Sequence, residues 1–396
     1  MAKKRLVRLK PKAGEEQSSP VSSEGAEKKG GIKRRTNLPV VEIAPKQYNL
    51  PGELGVLVNS MNANAGPAAP FVLASVPRYN AGYCKTGVLA LDLALGGGWR
   101  LSRGSMIYGE RSAGKSTIAL LTAAEMQRIQ PDKYVGYVDI EGTLDLEWAK
   151  KLGVDLERLI IAEPDTGEDA VNEADGLVRT REIAMVITDS IAMLSPSKEI
   201  DEAAEQEFMG LQARLVGKFL RKTNNALIRE RKRDHNPLIL HLNQFRMKIG
   251  LVFGDPRTLP GGKALEFATT QQVEIKNKEA KETKGDDKGL VTYNEHNFNI
   301  TKNKSGGPLR EGMFKFIRVP HDGMPETWID QAATIRELGL KAGVLSGSPT
   351  SFSHDGLSRK WRGAPDYNAW AIENAADHRR VMSDIIEYYR RKWKLT

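Results

Sequence analysis

Residues 109–117 read Gly-Glu-Arg-Ser-Ala-Gly-Lys-Ser-Thr, a complete match to G-x-x-x-x-G-K-[ST]. These residue types at this spacing make a phosphate cradle. Gly109 and Gly114 let the backbone curl so that the N–H groups of Glu110, Arg111, Ser112 and Ala113 turn inward on phosphate oxygens. Lys115 is expected to reach the β- and γ-phosphates, and the Ser116 hydroxyl to hold Mg²⁺. The flanks suit the task. Ser105–Tyr108 is a short apolar run that reads as a strand, and Thr117–Met126 reads as a helix whose N-terminus adds partial positive charge. The chain is therefore expected to bind a nucleoside triphosphate, with ATP and Mg²⁺ as ligands.

Hydrolysis needs a second carboxylate near the metal and a group that orients or deprotonates the attacking water. Val186-Ile187-Thr188-Asp189-Ser190 puts Asp189 at the tip of an apolar strand, where it can bind Mg²⁺ through water. Val138-Asp139-Ile140-Glu141 closes another strand, which would hold Glu141 over the nucleotide as the base; the bland reading is a surface acid. Two further stretches carry cations. In 208–222, Leu211, Leu215 and Phe219 share one helix face, while Arg214, Lys218 and Arg221 recur on another. That pattern suits a polyanion, and equally a plain solvated face. After Asn243-Gln244, a Gly/Pro-rich run extends from Phe245 to Lys263 without apolar period and reads as a long functional loop. Within it Arg246, Lys248, Arg257 and Lys263 can neutralise phosphates, while Met247 and Phe253 can wedge against bases.

These residues need a scaffold. Apolar runs at 104–108, 134–139, 158–162, 183–189, 238–243 and 271–276 alternate with helical segments, which predicts an α/β fold with a mostly parallel central sheet covered by helices. In such sheets ligands sit at the carboxyl ends of the strands. Residues 278–290 read as a solvated charged hairpin loop. Beyond 325 the pattern gives an amphipathic helix through Trp328, Ile329, Ala332, Ile335 and Leu338, a Gly/Ser-rich region at 343–363, and two final helices. The expected division is a disordered basic extension at 1–37, an arm or oligomerisation segment at 38–84, a core at 85–320, and a small C-terminal α+β unit at 321–396.

Composition narrows the class. The net charge is +9, and residues 1–36 carry eleven Lys and Arg against four Glu, so the rest of the chain is close to neutral. Any anion-binding surface there must be local. The basic extension suits nucleic acid or simple solubilisation. Cys84 is the only cysteine, which excludes an intramolecular disulfide and fits a reducing, cytoplasmic setting. The six histidines lack paired metal-ligand spacing, which argues against zinc. No apolar run is long enough to cross a bilayer, so no membrane partner is expected.

The sequence resembles the RecA family of ATP-dependent recombination proteins over roughly residues 84–385. The stretches that carry the resemblance include Lys85–Gly97, the phosphate loop, Glu163–Glu168, Asp189-Ser190, Met209–Arg214 and Lys302-Asn-Lys304. Leu242-Asn-Gln-Phe-Arg-Met-Lys-Ile-Gly250 followed by Gly261-Gly-Lys-Ala-Leu265 is the most specific pair. The resemblance implies a filament-forming, DNA-dependent ATPase that binds single-stranded DNA and pairs it with homologous duplex. It makes Glu141 the catalytic glutamate and Gln244 the link between γ-phosphate and DNA loop. Asp145 becomes the adenine-recognising acid and Trp148 the stacking aromatic. Lys302 and Lys304 would reach the neighbouring subunit's nucleotide. Met209, Gly210, Arg214 and Arg221 match the first DNA-binding loop and its helix; Arg246, Met247, Lys248, Gly261, Gly262 and Lys263 match the second.

Three departures accompany this match. The N-terminal helix and strand through which members polymerise are not evident in residues 38–75. Arg318 stands where another aromatic faces the base. The basic stretch Arg390-Arg391-Lys392-Trp393-Lys394 replaces the acidic tail of many members, so weaker charge restraint on DNA binding is expected. Two other functions fit part of the same pattern: a hexameric translocase or helicase on this fold, and a nonenzymatic protein that coats single strands.

Overall fold

The computed structural model describes residues 48–65, 81–197, 209–247, 256–281, 290–304, 307 and 309–395. The basic extension at 1–37, Lys248, Phe253 and much of the 38–84 arm lie outside the described residues.

Nine strands form one sheet: β1 (Gly104–Gly109), β2 (Tyr134–Asp139), β3 (Leu159–Ala162), β4 (Ile183–Asp189), β5 (Leu238–Gln244), β6 (Gln271–Lys281), β7 (Val291–Asn303), β8 (Glu311–Ile317) and β9 (Ile329–Asp330). Their order across the sheet is β9-β8-β7-β6-β1-β5-β4-β2-β3. From β6 to β3 every neighbouring pair is parallel, and from β6 to β9 every pair is antiparallel. The expected α/β architecture with a mostly parallel central sheet is the one observed.

Both faces of the sheet are covered, which is why its central strands are mostly apolar and their few polar residues, such as His241, are buried. Side chains alternate between two cores as the pleat requires. Ile107, Tyr137, Ile187 and Leu240 point into one, which they share with Ile118, Ala119 and Ala123 of α3 (Lys115–Ile129). Met106, Val138, Val186 and Ile239 point into the other. There they meet α5 (Gly167–Arg179) and α6 (Met209–Lys232), with the earlier helices α1 (Gly52–Ala65), α2 (Leu89–Leu95) and α4 (Leu146–Lys151) lying elsewhere. Phe219 of α6 is fully buried in this second core, worth about 1.5–3 kcal/mol of transfer free energy. Thr166 starts α5 by accepting a hydrogen bond from Asp169 N at 3.1 Å.

The C-terminal residues build a third core. Ile335 of α8 (Ala332–Ala342), Phe352, Trp361, Tyr367 and Trp370 of α9 (Gly363–Glu373) and Val381, Ile385 and Tyr389 of α10 (Ala375–Lys392) pack together; α7 (Gly262–Ala268) instead places its Leu265 in the second core. Helix α2 joins the two regions. Its Leu91 and Leu95 face the sheet, and its Leu89 and Leu93 face the C-terminal cluster. Among the described residues no helix is long and apolar enough to cross a membrane.

Three local expectations need correction, and the Gly/Ser-rich region of the C-terminal unit takes definite form. Strand β6 runs on to Lys281 and β7 begins at Val291, so the charged stretch is paired backbone at 278–281 rather than loop. An antiparallel ribbon extending past its parallel neighbours exposes both faces, and its ladder forms whatever the side-chain charge. The Gly/Ser-rich 343–363 region contains a three-stranded antiparallel sheet (Leu345–Ser348, Ser351–His354, Lys360–Trp361) anchored by Phe352 and Trp361. Trp328 and Ile329 precede the helix, which starts at Ala332, because Ile329 pairs with Phe316 in the sheet. Finally, residues 52–65 form a 14-residue helix where none was evident. It leaves Leu54, Val56, Leu57 and Met61 exposed and buries Val58 and Asn62, a pattern without the clean apolar stripe that marks a helix in sequence.

Candidate active site

The carboxyl ends of β1, β2, β4 and β5 bring together the residues singled out by type and spacing. A cleft of 810 Å³ opens there, walled by Arg111–Thr117, Glu141, Asp189 and Gln244, and on the other side by the β6–β7 ribbon. Gly109 ends β1 so close to β6 that a Cβ would meet the Ile275 carbonyl oxygen at 2.2 Å. Gly114 has φ +93° and starts α3, and a Cβ there would strike the His296 ring at 2.5 Å. Only glycine fits either place, and Ser112 at φ +58° adds a second left-handed residue to the turn, a conformation of the kind that can present N–H groups to an anion. Glu110, Arg111, Ala113 and Thr117 lie in the same turn and first helical residues.

Lys115 is buried at the base of this loop and donates to the Glu110 carbonyl at 2.8 Å. Burial pulls its ammonium below the usual lysine value, and the carboxylates of Asp189, Glu141 and Glu110 oppose that pull. Ser116 Oγ donates to Asp189 Oδ2 at 2.8 Å, and the Tyr137 hydroxyl donates to the same oxygen at 2.6 Å. Desolvation raises the Asp189 carboxyl above its ordinary value, against the lowering effect of those two hydroxyls. A hydroxyl and a carboxylate side by side are hard oxygen donors of the kind Mg²⁺ takes, leaving its other positions to phosphate and water. Among the described residues no group of three or more His, Cys, Asp or Glu is placed to hold a metal ion.

Glu141 follows β2 and turns over the cleft. Its Oε1 accepts from Ser190 Oγ and from Gln244 Nε2, the latter at 2.6 Å. Gln244 is the last residue of β5, and the loop that follows begins at Phe245. One carboxylate oxygen in the cleft is thus joined to the strand that leads into that loop.

The loop's near end is also tied to the start of α6. Arg246 donates to Gln212 Oε1 at 3.1 Å and to the Ala192 carbonyl at 2.5 Å, while Gln212 donates to the Leu194 carbonyl at 3.0 Å. Gly210, Arg214, Lys218 and Arg221 are exposed along α6, and Met209 is its first residue. Met247 is 65% exposed, so it is available for contact. Gly261, Gly262 and Lys263 start α7, with φ +97° and +45° at the two glycines and an exposed Lys263.

Four predicted residues stand apart from the cleft. Asp145 caps α4 by accepting from Trp148 N at 3.0 Å. The Trp148 ring packs on Phe316 at 5.7 Å, and the Arg318 guanidinium, which does line the cleft, lies 5.4 Å over the indole. Lys302 pairs with Gln272 at the amino end of the parallel strands, and its Nζ donates to the Thr269 carbonyl at 2.7 Å. Lys304 is exposed just beyond it. Neither lysine lines its own subunit's cleft.

His296 was not foreseen. It is buried behind the phosphate loop, its Nδ1 3.0 Å from the Ala113 carbonyl, its ring stacked on Phe314 with centroids 5.0 Å apart. The carbonyl only accepts, so Nδ1 carries the proton. Desolvation pushes the imidazole down to about 4, which keeps it neutral beside the phosphate site. No local signal marks it, because the loop it braces lies 183 residues earlier.

A family model described as the RecA N-terminal domain matches residues 54–319. Protein RecA of Francisella tularensis subsp. novicida is 37% identical over 303 residues, covering 76% of this chain and 79% of that protein. The proteins of that name from subsp. tularensis and subsp. holarctica match to the same extent. With the match spanning sheet, cleft and both cationic stretches, the chain belongs to the RecA family.

Proposed function

We propose that this protein is a DNA-dependent ATPase that assembles as a helical filament on single-stranded DNA and drives pairing and strand exchange with homologous duplex. The observation that carries the proposal is the Gln244–Glu141 hydrogen bond, which lets one amide answer to both γ-phosphate and DNA loop. In this reading Glu141 orients and deprotonates the attacking water, Lys115 neutralises the β- and γ-phosphates, and Ser116 and Asp189 hold Mg²⁺. ATP draws Gln244 toward the γ-phosphate; hydrolysis removes that partner and releases the loop. Arg214, Lys218, Arg221, Arg246 and Lys263 supply phosphate contacts along the strand, with Lys248 among them by sequence.

Lys302 and Lys304 act on the next subunit's nucleotide, which makes turnover depend on assembly. Their location at the far end of the strands from their own cleft supports this role. Electron microscopy with single-stranded DNA and a nonhydrolysable ATP analogue tests the proposal. Regular filaments that need both ligands are expected, and closed rings or beaded coats without nucleotide dependence would refute it.

A further inference from the structure

A second cavity of 460 Å³ lies beside the phosphate loop, lined among others by Glu110, Phe245, Arg257, Glu274 and Lys276. Three distant stretches meet there. Tyr108, the residue before Gly109, packs edge-on against Phe245 with centroids 5.5 Å apart and planes at 87°. Phe245 directly follows Gln244. Arg257 lies on the short strand Arg257–Thr258, which pairs antiparallel with Arg246–Met247 and so closes the base of the loop.

Arg257 faces inward. Its guanidinium sits 4.7 Å over the Phe245 ring, and its Nη1 is 3.8 Å from both Glu110 Oε1 and Glu274 Oε1. The Glu274 side chain is only 11% exposed. Lys276 also approaches it, at 3.6 Å and itself 59% exposed. A guanidinium can serve two carboxylates and an aromatic face together, which an ammonium does less well. Arg257 therefore joins a residue of the phosphate loop, the residue after the switch amide, and the far end of the DNA loop.

We propose that Arg257 is a second coupling latch, a positioning residue that fastens the base of the loop to Glu110 and carries nucleotide state to DNA affinity alongside Gln244. The proposal rests on the reading of this cleft as an ATP site coupled to a DNA loop. A bound triphosphate adds negative charge at the phosphate loop and competes with Glu110 for the guanidinium. The loop base, held to Phe245 and to its partner strand, shifts with the arginine. The alternative role is direct contact with DNA phosphate.

The test uses the full chain, a fluorescent oligo-dT strand, and anisotropy with and without a nonhydrolysable ATP analogue over a range of salt. Arg257→Gln should cut the ATP-induced tightening of DNA binding roughly 5-fold, at the lower end of typical coupling factors. It should leave the slope of log affinity against log salt unchanged. Glu110→Gln should lower the coupling by a similar factor, and adding Arg257→Gln to it should cost little more. Unchanged coupling in Arg257→Gln overturns the latch. So does a salt slope lowered by about 0.7 with coupling intact, the mark of one lost phosphate contact. Additive losses in the double variant overturn the pairing with Glu110. Wild-type protein whose DNA affinity ignores ATP overturns the ATP–DNA reading itself, and the latch with it.

Discussion

Gln244 is the place where a small change should separate nucleotide chemistry from DNA binding. Its Nε2 donates to Glu141 Oε1 at 2.6 Å, and in the proposed cycle the same amide turns to the γ-phosphate. Gln244→Ala removes the donor from both states, so what is lost is the difference between them. A hydrogen bond to a charged acceptor is worth about 1.5–3 kcal/mol net, and that range corresponds to a roughly 10- to 150-fold effect on an equilibrium. The site is open to solvent on one side, which favours the lower figure. The ATP-induced tightening of single-stranded DNA should therefore fall about tenfold, and DNA should no longer stimulate phosphate release. Gln244→Glu should be worse, because it sets a second carboxylate against Glu141 and against the incoming phosphate. The assays are anisotropy on a labelled strand and steady-state phosphate release at saturating ATP. An alanine variant that keeps full DNA stimulation would refute the idea that this amide carries the signal.

Other expectations follow from the same geometry. Glu141→Gln should preserve nucleotide binding and lower turnover roughly 10²- to 10⁴-fold, the usual worth of a positioned base; retained turnover would place the base elsewhere. Double replacement Lys302→Ala/Lys304→Ala should be inactive alone yet complement Glu141→Gln in mixed filaments. Random mixing then restores about a quarter of the sites across a head-to-tail interface, and no recovery would put the lysines in their own subunit's chemistry. Burial lifts the Asp92 carboxyl from 3.8 to about 7 despite the bond it accepts from Thr86 N at 2.7 Å. The folded state thus holds a proton that the unfolded chain has lost. Asp92 contributes fully below pH ~4, and that stability is lost as pH rises toward 7, by on the order of a few kcal/mol. Thermal midpoints of wild type and Asp92→Asn should therefore diverge with rising pH across that window; parallel curves would contradict the assignment.

The sequence disclosed the elements whose signal is local. The phosphate loop carries its own strand, glycines and helix, and the strands ending at Asp139, Asp189 and Gln244 are largely apolar because helices cover both faces. What was hidden depends on contacts far along the chain. The need for glycine at 114 comes from His296, and the inward turn of Arg257 comes from Glu110 and Glu274, neither near it in sequence. Charge misled at 278–281, where ladder pairing with β7 outweighs solvation. At Arg257, which the sequence offers as a phosphate contact, the side chain lies against Glu110, Glu274 and the Phe245 ring. Helix α1 escaped notice because Asn59, Asn62 and Asn64 interrupt its apolar spacing.

The central claim is that one coupling free energy links ATP and DNA, and reciprocity tests it most directly. Single-stranded DNA affinity is measured with and without a nonhydrolysable ATP analogue, and analogue affinity with and without DNA, in one buffer. The account predicts the same factor from both directions, well above one, together with DNA-stimulated phosphate release. Tight DNA binding that is indifferent to nucleotide, with phosphate release unmoved by DNA, would contradict it.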